Sequence, residues 1–327
     1  MTHATVDVAI LGGSGFIGHA LAASLVKNLP TGRLAVRVIT RAREKCRDLW
    51  SLPGIEVVEV DTRQEPALAE ALTGAQAVVN LVGVLHSRPG RPWGPEFDEA
   101  HVKLPSRLAR CMTSLGIRRL IHISALGVSD HAPSMYLRSK AAGEAALRGT
   151  INLDLTVLRP SVVFGPKDQF LNLFARLQRF LPVVPLATPH ARFQPIYVND
   201  LVTAIGACLH KPSTAGRVLE CVGPDVLSLY EIVHWAGEYS GHPRPILPLP
   251  DGVSWLQALV MEHLPGPPLL SRDNLASATV PNVASGPMDP DLDLPNPVSL
   301  HSVAPQFLGE ASDRASAGRF RRRRTPD

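Results

Sequence analysis

No stretch of this chain reaches the roughly 18 to 20 consecutive apolar residues that a bilayer-crossing helix needs, although 45% of its 327 residues are apolar. That combination excludes a spanning helix and requires a substantial buried core, enough for one large domain or two modest ones. The opening MTHATVDVAILGG enters a strand-like run at once, with no charged leader and no cleavage site ahead of it, so the sequence predicts a cytoplasmic protein. Cysteine is equally sparse. Cys46, Cys111, Cys208 and Cys221 stand alone, without a CxxC pair or histidines at ligand spacing, which predicts reduced thiols and no metal site. An excess of one charge sign is missing too, except at the end. The last nine residues, RFRRRRTPD, hold five Arg and one Asp, and their +4 equals the net charge of the whole chain. The body is neutral, which argues against nucleic acid as a partner, and the tail reads as a solvated terminus with at most an accessory role.

What the chain does contain is alternation. VDVAIL (6–11) is a short apolar run, GGSGFIG follows it, and HALAASLVKNL carries apolar residues at helical spacing. The same rhythm recurs at 34–40, 55–60, 77–83, 119–124 and 153–159, with helix-like segments such as EPALAEALTG between them. Strand alternating with helix implies parallel pairing, right-handed crossovers and a sheet covered on both faces. The expected class is therefore α/β, a doubly wound parallel sheet of Rossmann type with a small C-terminal substrate lobe. The predicted division is a nucleotide-binding domain over 1–160, completed by about 198–224, and a small lobe from 161–197 and 225–290. Residues 291–327, rich in Pro, Ser and Asp before the Arg run, are expected to be an irregular tail.

The glycine turn carries the first chemistry. Gly12, Gly15 and Gly18 fit GxxGxxG, in which one glycine permits the tight turn, one admits a pyrophosphate and one lets helix and strand pack closely. Ser14, Phe16 and Ile17 belong to the same turn and are expected contacts. At the end of the second strand, Thr40 stands where an acidic residue would hold a ribose 2′-hydroxyl, and Arg41 and Arg43 follow it. That arrangement suits a 2′-phosphate, so NADP(H) is expected over NAD(H); the alternative is a pair of arginines on a solvated loop. Asp61, after the third strand, is a candidate acceptor for the adenine amino group or a turn former. Leu81, Val82 and Gly83, ending the fourth strand, complete the expected cofactor wall.

Ser124 ends the fifth strand, and Tyr136 precedes Lys140 by four residues in MYLRSK. With the glycine turn, these residues resemble the short-chain dehydrogenase/reductase superfamily, and the length resembles its extended branch, the NAD-dependent epimerase/dehydratases. YLRSKAAGEAALR, LRPSVVFGPKDQFLNLFARL, ARFQPIYVNDLVTAI and LSRDNLASATVPNVAS are similar to the atypical group that contains the nucleotide-binding accessory subunit of respiratory complex I and its bacterial relatives. The resemblance implies that Tyr136 is the general acid/base, that Lys140 favours its ionised form and binds the ribose, and that Ser124 orients the substrate oxygen. It also implies that Pro160 and Val163 lie against the nicotinamide. Two positions depart from the extended branch: Leu11 replaces its usual Thr, and His101 replaces its usual Asn, which puts the proton relay in question.

Three functions follow. The first is an NADP(H)-dependent oxidoreductase acting on a small apolar carbonyl or quinone-related molecule, because Phe170 to Leu186 is mainly Leu, Phe, Val and Pro; the alternative is that this helix packs the lobe's core. The second is a factor that holds NADP(H) without turnover in a respiratory or quinone-synthesis complex, peripheral to the inner membrane. The third is a nucleotide-sugar epimerase or dehydratase.

Overall fold

The computed structural model describes residues 6–27, 36–266 and 268–309; the Arg-rich tail lies outside the described residues. In chain order the main elements are β1 (Val6–Leu11), α1 (Phe16–Val26), β2 (Val36–Thr40), β3 (Ile55–Glu59), α2 (Glu65–Leu72) and β4 (Ala75–Asn80). They continue with α3 (Leu104–Leu115), β5 (Arg119–Ile123), α4 (Met135–Arg148), β6 (Asp154–Pro160), α5 (Leu171–Phe180) and α6 (Val198–His210). The last are β7 (Val218–Cys221), α7 (Leu229–Ser240), α8 (Asp251–Glu262), α9 (Arg272–Ala278) and α10 (Leu300–Leu308).

The seven strands form one sheet in the order β7-β6-β5-β4-β1-β2-β3, and each neighbouring pair is parallel. Alternation along β1 shows why both faces are covered. Val8 and Ile10 pack into one core with Val36, Val38, Leu21 of α1 and Ile205 of α6. Ala9 and Leu11 pack into the opposite core with Ile39, Leu72 of α2 and Leu108 of α3. Strands apolar on both sides belong in the middle of a layered sheet. The order reverses between β1 and β4, and the loops leaving the carboxyl ends of these two strands therefore part and leave a crevice, the usual ligand position in open parallel sheets.

The smaller lobe packs Leu171, Ala175, Leu227, Ile232 and Ala236 around Phe164, joined by the edge-to-face pair Phe170 and Phe174. Leu171, Phe174 and Ala175 of α5 thus form the lobe's core against α7, so they do not argue for an apolar substrate, while Phe180, Leu181 and Val183 stay exposed. This corrects the weight placed on Phe170 to Leu186: an amphipathic helix buries its stripe inside its own lobe when a partner helix is available. The irregular reading of 291–327 also needs correction. Leu300, Val303, Ala304 and Phe307, at helical spacing, bring α10 onto the lobe core, with Ser299 capping it through the His301 amide at 3.2 Å. Pro305 within the helix and the prolines ahead of it obscure that stripe in the sequence. The segment before α10 runs back along the large domain, held by Val298 N–H to Asp200 at 2.7 Å and Lys211 to Asp293 at 2.6 Å.

No described helix is long and apolar enough to cross a membrane.

Candidate active site

The cofactor cradle follows from what glycine leaves out. Gly12 has φ +78, a conformation that side chains resist, and a Cβ there would stand 3.2 Å from the Val82 amide. At Gly18 a Cβ would stand 2.5 Å from the Gly13 Cα and 2.6 Å from the Gly12 carbonyl oxygen. Gly15 is exposed, and its N–H donates to Gly12 O at 3.0 Å, which closes the turn. Among the described residues no side chain caps α1 and its first turn carries no acid, so the first amides of the helix, at Phe16, Ile17 and Gly18, form an uncapped N-terminus of the kind suited to phosphate. The side chains of Phe16 and Ile17 turn elsewhere: the Phe16 ring lies by Gly165, and Ile17 packs on the core. These residues fit a dinucleotide pyrophosphate. Sequence reasoning overlooked Gly13, where a Cβ would stand 2.5 Å from Val38 Cγ1; the GxxGxxG spacing draws attention away from it.

At the end of β2 the Thr40 hydroxyl, buried, donates to Ser14 Oγ at 2.8 Å and accepts from the Ala42 N–H at 3.1 Å. Thr40 therefore ties the β2 end to the glycine turn. Arg41 is exposed. The Arg43 guanidinium lies over the Trp50 ring at 5.2 Å, and the Arg43 backbone N–H donates to Glu59 Oε2 at 3.1 Å. Asp61 accepts from Arg63 through both carboxylate oxygens at 2.8 to 3.1 Å and also from the Arg63 amide at 3.1 Å. The Arg63 bonds hold its pKa down at about 2. That pairing is a turn with an ion pair, and it engages the oxygens that the sequence reading offered to adenine.

The walls at β4 and β6 are backbone structures. Leu81 N–H donates to Leu11 O at 3.0 Å, and Gly83 leaves the space that the Lys140 ammonium occupies, since a Cβ there would stand 3.2 Å from Nζ. Pro160 O accepts from Leu126 at 3.1 Å, and Val163 pairs with Ile196 in a two-residue parallel ribbon.

The Lys140 ammonium reaches the end of β5 next to Ser124, and Tyr136 stands one turn before Lys140 on α4. Lys140, 4% exposed, donates one of its three N–H groups to the Ile123 carbonyl at 3.1 Å, one residue from Ser124. Burial pulls its pKa down to about 8, and the charge of Glu144, one turn further along, pulls the other way. The Ser124 N–H is bound to Leu158 O at 2.8 Å, while its buried hydroxyl has no partner among the described residues. A buried hydroxyl left unpaired costs about 1–3 kcal/mol, so it calls for a partner that the described residues do not supply. Tyr136 packs edge-on to Phe97 and His101, with centroids 5.9 and 5.5 Å away, and burial pushes its phenol up to about 12.

His101 resolves one departure from the family pattern. Its Nε2 accepts from the Val84 N–H at 3.1 Å, and a backbone amide can only donate, so the proton sits on Nδ1. Nδ1 then donates to Ser139 Oγ at 2.8 Å, and Ser139 donates to the Tyr136 carbonyl at 2.8 Å. Burial lowers its pKa to about 2, so it stays neutral. His101 is a latch between the β4 loop and α4. Gly143 permits the close approach, because a Cβ there would stand 1.9 Å from His101 O.

Sequence reasoning also missed Glu144. It is 1% exposed and accepts from Arg148 at 2.5 Å and Arg159 at 2.7 to 2.9 Å. Removing its charge strands two guanidiniums that reach partly into solvent, so Glu144→Gln is expected to lower unfolding free energy by about 1–3 kcal/mol. Urea denaturation checks this, and an unchanged midpoint refutes it. The signal available beforehand was only its i, i+4 spacing from Lys140 and Arg148. Among the described residues no group of three or more His, Cys, Asp and Glu is placed to hold a metal ion.

Residues 12–169 match the NAD(P)H-binding family. The chain is 28% identical to the rat NADH dehydrogenase [ubiquinone] 1 alpha subcomplex subunit 9, mitochondrial, over 91% of this chain and 79% of that protein. It is also 28% identical to the ceramide reductase of Caulobacter vibrioides, over 79% of this chain and 78% of that one. Among solved structures, the UDP-glucuronic acid 4-epimerase of Bacillus cereus, with UDP-glucuronic acid and NAD, superposes with a TM-score of 0.64 at 18% identity, covering 88% of this chain and 96% of that one. That likeness shows the fold. Together with the glycine cradle at the β1–β4 switch point, these similarities show that the chain carries an NAD(P)H-binding domain over residues 12–169 and is homologous to the complex I subunit, on a fold shared with NAD-dependent epimerases.

Proposed function

We propose that this protein is an NADP(H)-dependent oxidoreductase that reduces an apolar or quinone-related carbonyl. The observation that carries the reading is the buried Ser124 hydroxyl, without a partner among the described residues and one residue from the Ile123 carbonyl that holds the Lys140 ammonium. In this reading the bound cofactor supplies hydride to the carbonyl carbon. The chain's own residues do the rest. Ser124 donates a hydrogen bond that orients the substrate oxygen, Tyr136 delivers its proton to that oxygen, and Lys140 stabilises the tyrosinate left behind and binds the ribose. A phenol held near 12 is protonated across the working pH range, which suits the acid of a reduction. The substrate lobe comprises 161–197 and 225–290, extended by α10.

The apolar character of the substrate rests on the surface around α8. Val253, Trp255, Leu256 and Val260 are exposed, together with Leu247, Leu264 and Leu269. α8 leads into α9, which contacts the start of α4 through Asp273. The same surface favours a second reading, in which the protein holds NADP(H) as a factor of a respiratory or quinone-synthesis complex at the inner membrane. The test is turnover by the purified protein over quinones, ketones and aldehydes. Bound NADPH that is never oxidised, with copurification on membrane complexes, would leave the second reading standing and sink the first.

NADP(H) over NAD(H) rests on Thr40 in place of an acid and on the exposed Arg41. Replacing Arg41 with Ala is expected to weaken NADPH about tenfold, about 1.4 kcal/mol, and to leave NADH unchanged. Fluorescence titration of both nucleotides checks it; equal loss for both would refute the 2′-phosphate role.

A further inference from the structure

Asp273 lies on α9, 137 positions beyond Tyr136, yet its carboxylate accepts from the Met135 N–H at 2.6 Å and the Tyr136 N–H at 3.1 Å. These are two of the amides that a helix leaves unpaired at its start. The side chain of Ser134, the residue before the helix, takes the Leu137 N–H, at 3.2 Å. The first turn of α4 is therefore closed by a local serine and a remote carboxylate, and an anion at a helix N-terminus is favoured by the partial positive charge there.

The same segment holds the Tyr136 side chain. Val280, just after α9, shares an apolar cluster with Tyr136 and Leu137, and Gly127 makes room for it, since a Cβ there would stand 2.8 Å from Val280 Cγ1. α9 is itself fixed: Ser271 and Asn274 cap each other's backbone amides, and Arg272 bonds Glu262 at 2.9 Å and lies over Trp255 at 5.6 Å. On its other side the Tyr136 carbonyl is held by Ser139 and, through it, by His101.

We infer that Asp273 is a positioning residue, by which the C-terminal lobe sets the seat of Tyr136. The inference rests on the reading of Tyr136 as the proton donor. The lobe that carries the apolar surface of α8 thereby reaches the acid directly, so displacement of α9 from α4 releases two amides and the Tyr136 side chain together.

The experiment uses the full chain with NADPH, labelled with 3-fluorotyrosine. Four tyrosines give four fluorine resonances, and Tyr136→Phe identifies the one that matters. In Asp273→Asn the Tyr136 resonance is expected to shift or broaden while those of Tyr197, Tyr230 and Tyr239 stay in place. Amide exchange at Met135 and Tyr136 should rise about tenfold or more, with Leu137 unaffected. On any carbonyl the wild type reduces, kcat should fall about tenfold to a hundredfold with KM for NADPH unchanged. Arg272→Gln, which loosens α9 without touching α4, should move the same signals in the same direction and less; it decides the matter if Asp273→Asn does not fold. Unchanged Tyr136 resonance and unchanged exchange in the folded variant overturn the positioning role. If those signals respond but the wild type reduces nothing, the oxidoreductase reading fails while the positioning role stands.

Discussion

With Tyr136 replaced by phenylalanine, turnover is expected to fall by roughly 10²- to 10⁴-fold, the usual contribution of a positioned proton donor. NADPH affinity should be unchanged. The separation follows from where each group attaches. Lys140 is anchored to the Ile123 carbonyl and faces the space left by Gly83, so it keeps its place without the phenol. The cradle at Gly12, Gly15 and Gly18 lies on a different loop. Phenylalanine preserves the packing against Phe97, His101 and Val280, so lost activity reports the missing hydroxyl. Equal loss of binding and turnover would place Tyr136 in the fold instead. The pH dependence supplies a second check. Lys140 titrates near 8 in the free protein, depressed by burial, so its help to the tyrosinate fades as pH rises through that value. Reduction should therefore decline above about pH 8, later where cofactor phosphates favour the ammonium. For stability the sign is opposite to an ion-paired lysine. The folded pKa lies below the unfolded one, so burying the charge costs stability below about 8, and that cost is relieved between 8 and the ordinary value of 10.5.

The second large effect is expected from Gly18→Ala. The added methyl would meet the Gly13 Cα at 2.5 Å and the Gly12 carbonyl at 2.6 Å, and both are backbone atoms that have no rotamer to change. Helix α1 must retreat from β1, at about 1–3 kcal/mol for the overpacking. The retreat also carries the amides of Phe16, Ile17 and Gly18 away from the phosphates. NADPH affinity is expected to drop about a hundredfold or more, close to 3 kcal/mol, and the melting temperature to fall. Gly206→Ala is the control. It lies within α6 with nothing within 4 Å of its Cβ, so it should leave binding alone and stabilise by about 0.4–1 kcal/mol. A Gly18→Ala variant that binds NADPH like the wild type would remove the close-approach account of the turn.

Much of the site was legible in the sequence because it is local. The glycine spacing, the serine at a strand end and the Tyr-to-Lys interval each lie within one strand–turn–helix unit, where residue type and period constrain geometry directly. Asp61 was readable only as an alternative, because its Arg63 partner, two residues away, competes with a ligand for the same oxygens. The apolar run from Phe170 to Leu186 left two readings open, since an apolar helix face looks the same whether it meets a substrate or α7. α10 was hidden by Pro305, although Leu300, Val303, Ala304 and Phe307 carried its period.

The sequence by itself determined the parallel sheet and the glycine turn at its carboxyl edge, and it singled out the three side chains of the proposed acid/base centre. These depend on alternation, turn chemistry and spacing over short distances. Only the tertiary structure decided that the Ser124 hydroxyl is buried without a partner among the described residues and that Lys140 loses part of its basicity. It also decided that His101 is a neutral latch and that Asp273 closes the helix carrying Tyr136. Each of these is a property of what surrounds a group, and the surroundings come from residues up to 138 positions away in the chain.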